Sequence, residues 1–448
     1  MPANLEGVET VLLYILGVLI MVVGLALSIA LHELGHFIPA KLFGVRVGQF
    51  MIGFGPTLFS RKRGETEFGL KAIPLGGYIS MSGMFPPKTP GGRARNASTG
   101  FFQTLVQDAR TASADSVTAG DEHRTFYQLP IYKRVIIMLG GPFMNLLIAL
   151  VLYTVVLCGF GVAQQSTTLG SVSACVLPAT SARQSCEPGD AEAPGSTAGL
   201  KPGDRLVSVN GQQILSWNQA TNIIRLSPQK SLSVVVERAG KTVDITATPS
   251  LTERYLTNAA GIIQKSADGT RLTQQVGFLG IGAAVEVVQQ PVTAVLPAVG
   301  DNIARVGDLI AHLPDRLVAV ANAAFGAGPR DPNGPISVVG VGRVAGEIAS
   351  INSVPIADRA SALIQILASL NVALLVFNLV PLLPLDGGHV AGALYEGVRR
   401  FVAKLFKRKD PGPVDTAKLI PLTLTVVMVL GAMSALLIYA DIVKPIAL

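Results

Sequence analysis

The chain has 448 residues, 49% of them hydrophobic and only 15% charged, with a mean hydropathy of +0.48. A soluble chain of this length carries nearer to about a quarter charged residues, so the composition excludes an ordinary soluble protein and points to a membrane. The net charge of +7 does not argue for nucleic acid, because the basic residues gather beside apolar segments, where anionic lipid is the partner they meet.

Four long apolar segments stand out: Thr10–Leu31, about Val135–Val162, about Ser361–Leu385, and Leu419–Ala440. The first holds 22 residues without a charge, roughly 33 Å of helix and enough to cross a bilayer. Glu6 and Glu9 stand where a signal peptide carries Lys or Arg, so this segment reads as a retained span. It runs directly into His32-Glu33-Leu34-Gly35-His36. On a helix, His32 and His36 lie one turn apart and can hold one zinc ion, while Glu33 is offset to act on a water beside the metal. A chance polar turn at a membrane interface is the plain alternative, and the motif still needs a third ligand.

Charge placement orients the spans. Segment 41–134 holds 13 Lys and Arg against 6 Asp and Glu, segment 386–418 holds 7 against 4, and segment 161–358 is balanced at 14 against 15. The positive-inside rule puts the two basic segments in the cytoplasm, and the balanced segment and both termini outside. The first and third spans then run in the same direction, so His32–His36 and Asp386 reach the same depth near the cytoplasmic side. Asp386 closes an uncharged run that begins at Ser361, and a carboxylate oxygen is an ordinary third zinc ligand. A simple helix-end acid before Gly387-Gly388 is the plain reading, and His389 is a rival ligand or a supporting partner. His123 and His312 read as surface residues. Cys158 falls in the second span, while Cys175 and Cys186 lie eleven residues apart outside, where a disulfide is permitted but not required.

These motifs resemble the site-2 protease family of intramembrane zinc metalloproteases, in particular the bacterial regulator-of-sigma-factor proteases. The resemblance rests on His32-Glu33-Leu34-Gly35-His36, on Gly141-Pro142-Phe143-Met144-Asn145, and on the run from Asn378 through Pro381 and Pro384 to Leu385-Asp386-Gly387-Gly388. It implies His32, His36 and Asp386 as zinc ligands and Glu33 as catalytic base. It also implies Asn378 and Pro381 as residues that hold the substrate backbone, with Asn145 lining the same cleft. The implied activity is cleavage of single-span membrane proteins already trimmed by a site-1 protease, with anti-sigma factors and remnant signal peptides as candidate substrates. The implied location is a bacterial inner membrane.

The expected fold is a polytopic α-helical membrane protein of about four spans, with a membrane-associated β-hairpin and one extracytoplasmic PDZ-like domain. Residues 1–40 form the first span with the zinc motif. Residues 41–130 are cytoplasmic, with strands Gln49–Phe59 and Glu67–Ser80 around the turn Arg61-Lys62-Arg63-Gly64 and a flexible linker over Pro86–Asp121. Residues 131–162 form the second span. Residues 163–250 form the PDZ-like domain, signalled by Lys201-Pro202-Gly203-Asp204, by the hairpin turn Asn210-Gly211, and by a helix over Asn218–Leu226. Residues 251–360 supply a strand and amphipathic helices, 361–390 the third span, 391–418 a basic cytoplasmic segment, and 419–448 the fourth span. A PDZ adaptor with a structural or inactive zinc site is the alternative function. Glu33 argues against it, because a structural site has no use for a base.

Overall fold

A computed structural model describes residues 3–84 and 122–446, apart from 182, 184, 257–262, 265, 267–269, 327, 329, 332, 333 and 415. The expected linker at Pro86–Asp121 lies outside the described residues. The chain divides into two compact units, one formed by 1–160 with 290–448 and the other by 161–289.

The first unit opens with α1 (Ala3–Leu42), 40 residues that run past the uncharged segment and carry the His-Glu motif near their end. Next come β1 (Val47–Arg63) and β2 (Thr66–Met81), joined at Gly64-Glu65. Two short strands were expected, and each observed strand instead folds back over its partner. Phe50 pairs with both Ile79 and Phe68, and Leu70 with both Ile52 and Phe59. The ribbon therefore runs as four short strands in the order 77–81, 47–52, 67–70 and 59–63. Glycine permits the bends: Gly53 and Gly55 have φ of 90° and 83°, and a Cβ on Gly53 would stand 2.7 Å from the Ile73 carbonyl. Phe37 of α1 meets the rings of Phe50 and Phe68 edge-on at 5.6 Å each and docks the ribbon on the helix.

Helix α2 (Ile131–Thr154, continued by a π-helical turn to Phe160) follows Pro130. It crosses α1 at Gly35 and Gly140, where a Cβ on Gly140 would stand 2.0 Å from the Gly35 carbonyl oxygen. In lipid, helices associate through such small-residue contacts because no hydrophobic gain separates helix from solvent.

The second unit is built on β3 (Val162–Val172), a short helical turn α3 (Pro194–Thr197), β4 (Arg205–Val209), β5 (Gln212–Gln213), α4 (Trp217–Arg225), β6 (Leu232–Arg238) and β7 (Lys241–Ala247). It continues through the hairpin β8 (Ser250–Tyr255) and β9 (Thr273–Phe278) into β10 (Ile281–Val288). The antiparallel sheet has the order β10-β3-β4-β6-β7, with β5 on β4. Asn210 and Gly211, both at positive φ (50° and 78°), make the turn between β4 and β5. In β6, Leu232, Val234 and Val236 alternate inward onto Leu206, Ile224 and Leu279. The unit extends to Gln289, beyond the expected limit near 250, because β10 returns to pair with β3. Cys175 and Cys186 form a disulfide within it.

Back in the first unit come α5 (Val295–Ala311), α6 (Leu313–Phe325), α7 (Val338–Ser350), α8 (Ile356–Asn378), α9 (Asp386–Leu405) and α10 (Ile420–Val443). Among the described residues α1, α2, α8 and α10 are the four helices long and apolar enough to cross a membrane. The protein is thus a membrane protein with a separate β unit. Helix α7 lies against α1, where Gly17 faces Ala345 and Gly346 faces Tyr14. Polar contacts tie α8 in: Asn371 donates to Ser28 Oγ of α1, and Asn302 of α5 donates to Tyr153 Oη of α2 and Ser369 Oγ of α8.

Glu65, at the turn of the ribbon, accepts two bonds from Arg124 (2.9 and 2.8 Å) and one from Lys41 at the end of α1. These cations lower its carboxyl from 4.5 to about 2. A lowered folded-state pKa gives stability that is complete above 4.5 and is lost as pH falls toward 2. The protection factors of ribbon amides, corrected for the intrinsic exchange rate, should therefore fall between about pH 4.5 and 2 in wild type and show no such step in Glu65→Gln. An identical step in both proteins would remove Glu65 as the cause.

Candidate metal centre

The site begins with the helical spacing of α1. His32 and His36 lie one turn apart on the face toward α2, and their Nε2 atoms are 3.2 Å from each other. The third span was expected to end at Asp386. Helix α8 stops instead at Asn378, and a segment with Pro381 and Pro384 breaks the chain before Asp386 opens α9. This break turns the Asp386 carboxylate toward the histidines, with Oδ2 3.4 Å from His32 Nε2 and 3.3 Å from His36 Nε2. The close turn needs Gly387 and Gly388, whose Cβ atoms would collide with backbone of 379–383. Among the described residues this is the one grouping of three metal-ligating side chains.

Helix α2 holds the other side of both rings. His36 Nδ1 lies 2.7 Å from the Ile137 carbonyl, which only accepts, so Nδ1 carries the proton and Nε2 presents a lone pair. His32 Nδ1 lies 3.0 Å from the side-chain amide of Asn145. Either orientation of that buried amide leaves one atom unpaired. We assign the orientation in which Oδ1 accepts from Nδ1–H of His32, because it gives both rings the same tautomer. Gly141 makes room for the rings, since a Cβ there would stand 2.2 Å from His36 Nε2.

Two lone pairs and a carboxylate then face one another with no proton to share, and Asp386 Oδ2 accepts no hydrogen bond. Such a cluster is repulsive by itself and is resolved by a cation. Two Zn–N bonds of about 2.0–2.1 Å at a tetrahedral angle set their nitrogens about 3.3 Å apart. The observed separations of 3.2, 3.3 and 3.4 Å match, so the donor set fits zinc with a fourth position left for water or substrate.

Glu33 is 9% exposed and packs beside Gly77 of β2, where a Cβ would touch its Cγ at 2.9 Å. Asn378 is half-buried and Pro381 exposed on the segment that leads to Asp386, and neither bonds to the histidine cluster among the described residues. His389 is half-buried outside the cluster, and His123 and His312 are exposed. The supporting roles of Ile137, Gly141 and Gly77 escape sequence reasoning, because a backbone carbonyl and missing side chains leave no chemical signature. Only the Gly-Gly-Pro run inside a helix hints at them.

A membrane-embedded His-Glu motif completed by a distant carboxylate is the constellation of a zinc metalloprotease. The model of peptidase family M50 matches residues 20–409, and the chain belongs to this family, the site-2 proteases. It is 33% identical over 450 residues to the zinc metalloprotease Rip1 of Mycobacterium tuberculosis, a match covering 98% of this chain and 100% of that protein. Rip1 of Mycolicibacterium smegmatis is 31% identical over 449 residues, covering 97% and 98%. The metalloprotease MmpA of Caulobacter vibrioides is 29% identical over 398 residues, covering 86% and 88%. The protein is accordingly a zinc metalloprotease of the membrane.

Asn145→Ala should weaken zinc binding by about 10- to 100-fold, the usual effect of removing a partner that orients a ligand, and chelator competition measures it. Gly141→Ala should do the same by displacing the rings. Wild-type affinity in both variants would show that α2 does not support the site.

Proposed function

We propose that this protease cleaves single-span membrane proteins within the membrane, with His32, His36 and Asp386 as zinc ligands and Glu33 as general base. The observation that carries the reading is the convergence of three donor atoms at zinc spacing beside a buried glutamate, two of them on α1, a helix long and apolar enough to cross a bilayer. Zinc, when bound, supplies the Lewis acidity that polarises the scissile carbonyl. Glu33 takes a proton from the attacking water and delivers it to the leaving nitrogen as the C–N bond breaks.

A substrate helix hides its carbonyls in internal hydrogen bonds and must be extended to be cut. The edge strand 77–81 supports this step. It pairs with 47–52 on one side, no described strand pairs with its other side, and Gly77 adjoins Glu33. A substrate strand added there has its backbone groups satisfied at membrane depth. Asn145, Asn378 and Pro381 serve as further backbone contacts. The positive-inside rule supports a site near the cytoplasmic face of a bacterial inner membrane, with unit 161–289 outside.

That unit acts as a PDZ-like domain that receives the end left by a site-1 protease. Its sheet order and the groove between α4 and the Phe278–Ile281 segment support this, as do Arg225, which donates to the Tyr255 carbonyl, and Arg254, stacked over Phe278, both of which line the groove. A fluorescent peptide with a free carboxyl end should bind the full-length protein and lose affinity in Arg254→Ala, and its amidated form should compete poorly. Equal competition by both forms would remove the end-binding role. Anti-sigma factors and remnant signal peptides are the substrates of choice.

Glu33→Gln should retain zinc and lose cleavage of a tagged, pre-trimmed single-span substrate by roughly 10²–10⁴-fold. Asp386→Asn should lose zinc and activity together. Undiminished cutting by Glu33→Gln would overturn the assignment of the base.

A further inference from the structure

Helix α9 presents the third ligand, yet few of its side chains are fully buried, and half-buried Val390 is the apolar one that meets the core beside α1 and α2. Leu394, Tyr395, Val398 and Phe401 are exposed, and its buried residues are Gly387, Gly388, Ala393 and Glu396. Three of those four have no side chain beyond Cβ, so they set how close α9 comes to its neighbours but not how it is rotated. The fourth is a fully buried carboxylate. Arg134 of α2 grips it from both sides, with Nη1 3.0 Å from Oε2 and Nη2 2.6 Å from Oε1. The Val414 N–H donates to Oε2 at 3.0 Å, and Arg400 Nη2 lies 3.0 Å from Oε1. Burial pushes Glu396 up, and the bonds and charges of these donors outweigh it and hold the carboxyl below its ordinary value. Arg134 stands one helical turn before Ile137, whose carbonyl holds His36. One face of α2 therefore fixes a histidine from α1 and the rotation of α9.

We propose that Glu396, gripped by the planar fork of Arg134, is a positioning residue for the metal ligand Asp386. The proposal rests on the zinc-ligand reading above. Asp386 and Glu396 are ten residues apart, about 15 Å along the helix, so the fork acts at a distance through a rigid element. A rotation of α9 by about 10° moves a carboxylate roughly 5 Å from the axis by about 1 Å, which is enough to spoil a metal site. A buried bidentate pair also costs desolvation that apolar residues would avoid, so stability alone is a poor reason to place one here.

The test uses the full-length protein in detergent, with zinc affinity read by chelator competition and the visible bands of the cobalt-substituted protein read for ligand geometry. Glu396→Gln should lower zinc affinity by about tenfold or more and weaken the cobalt bands. Arg134→Lys keeps the charge and loses the fork, and should shift both readouts the same way by less. Asp441→Asn is the control, because it breaks another deeply buried carboxylate–guanidinium pair, with Arg330, in the same unit. It should lower the thermal midpoint and leave zinc affinity unchanged. If Glu396→Gln and Arg134→Lys lower the midpoint but leave zinc affinity and the cobalt bands unchanged, the pair is only structural and the proposal fails. If Asp386→Asn binds zinc as tightly as wild type, the ligand reading itself fails and takes the proposal with it. A loss in Asp386→Asn with none in Glu396→Gln overturns the positioning role alone.

Discussion

The backbone contact of α1 with α2 at Gly35 and Gly140 sets the position of everything at the metal centre. Only two facing glycines let the helices come this close. At that separation the Ile137 carbonyl and the Asn145 amide fall beneath the two imidazoles, and Gly141 leaves their rings room. Polar groups among apolar helices are costly unless partnered, and the partners here come from one neighbouring helix. Small residues thus serve the chemistry indirectly: they bring a partner near enough to fix the outer nitrogen of each histidine and leave the inner one as a donor.

The ribbon meets a second constraint. The extended-substrate site proposed above needs unpaired backbone close to Glu33, yet unpaired backbone in an apolar setting is unstable. Folding β1 and β2 into four short strands confines the exposure to two edges, and the edge at 77–81 is the one beside Glu33. The bends at Gly53 and Gly55 shorten the strands enough for this, while Phe37, Phe50 and Phe68 hold the ribbon to α1. Phe54, Leu58 and Phe59 remain exposed at its tip, apolar surface suited to lipid contact.

What was legible in the sequence was local. The spacing of His32 and His36 follows from one helical turn, and the spans follow from uncharged runs. Charge placement led to the expectation that Asp386 meets the histidines, as it does, but its setting at the start of a helix was not foreseen. The chain from Leu379 to Leu385 reads as the end of a span, whereas its two prolines stop α8 and allow Asp386 to begin a new helix. Pairings between distant segments left no mark. β10 joins β3 across more than a hundred residues, which is why the β unit reaches beyond the hairpins that signalled it. Phe50 meeting two different stretches of β2 is equally invisible, since alternation specifies which face a residue takes but not how often a strand is paired. The Cys175–Cys186 bond was permitted by spacing and settled only by the fold around it.

The three candidate donor side chains come from two helices that are held mainly through a third. The histidines sit on α1 and the carboxylate on α9, and α2 contacts both, through Gly140 on one side and Arg134 on the other. Donor separations near 3.3 Å are therefore set by two independent contacts with one support, which tolerates movement of the remaining helices better than a direct contact of α1 with α9 would. An intramembrane protease must admit a substrate helix between its own helices without losing its metal. Resting the three donors on α2 suits that demand, because α10 packs on α6 and α7 and leaves the distances within the donor set to other helices.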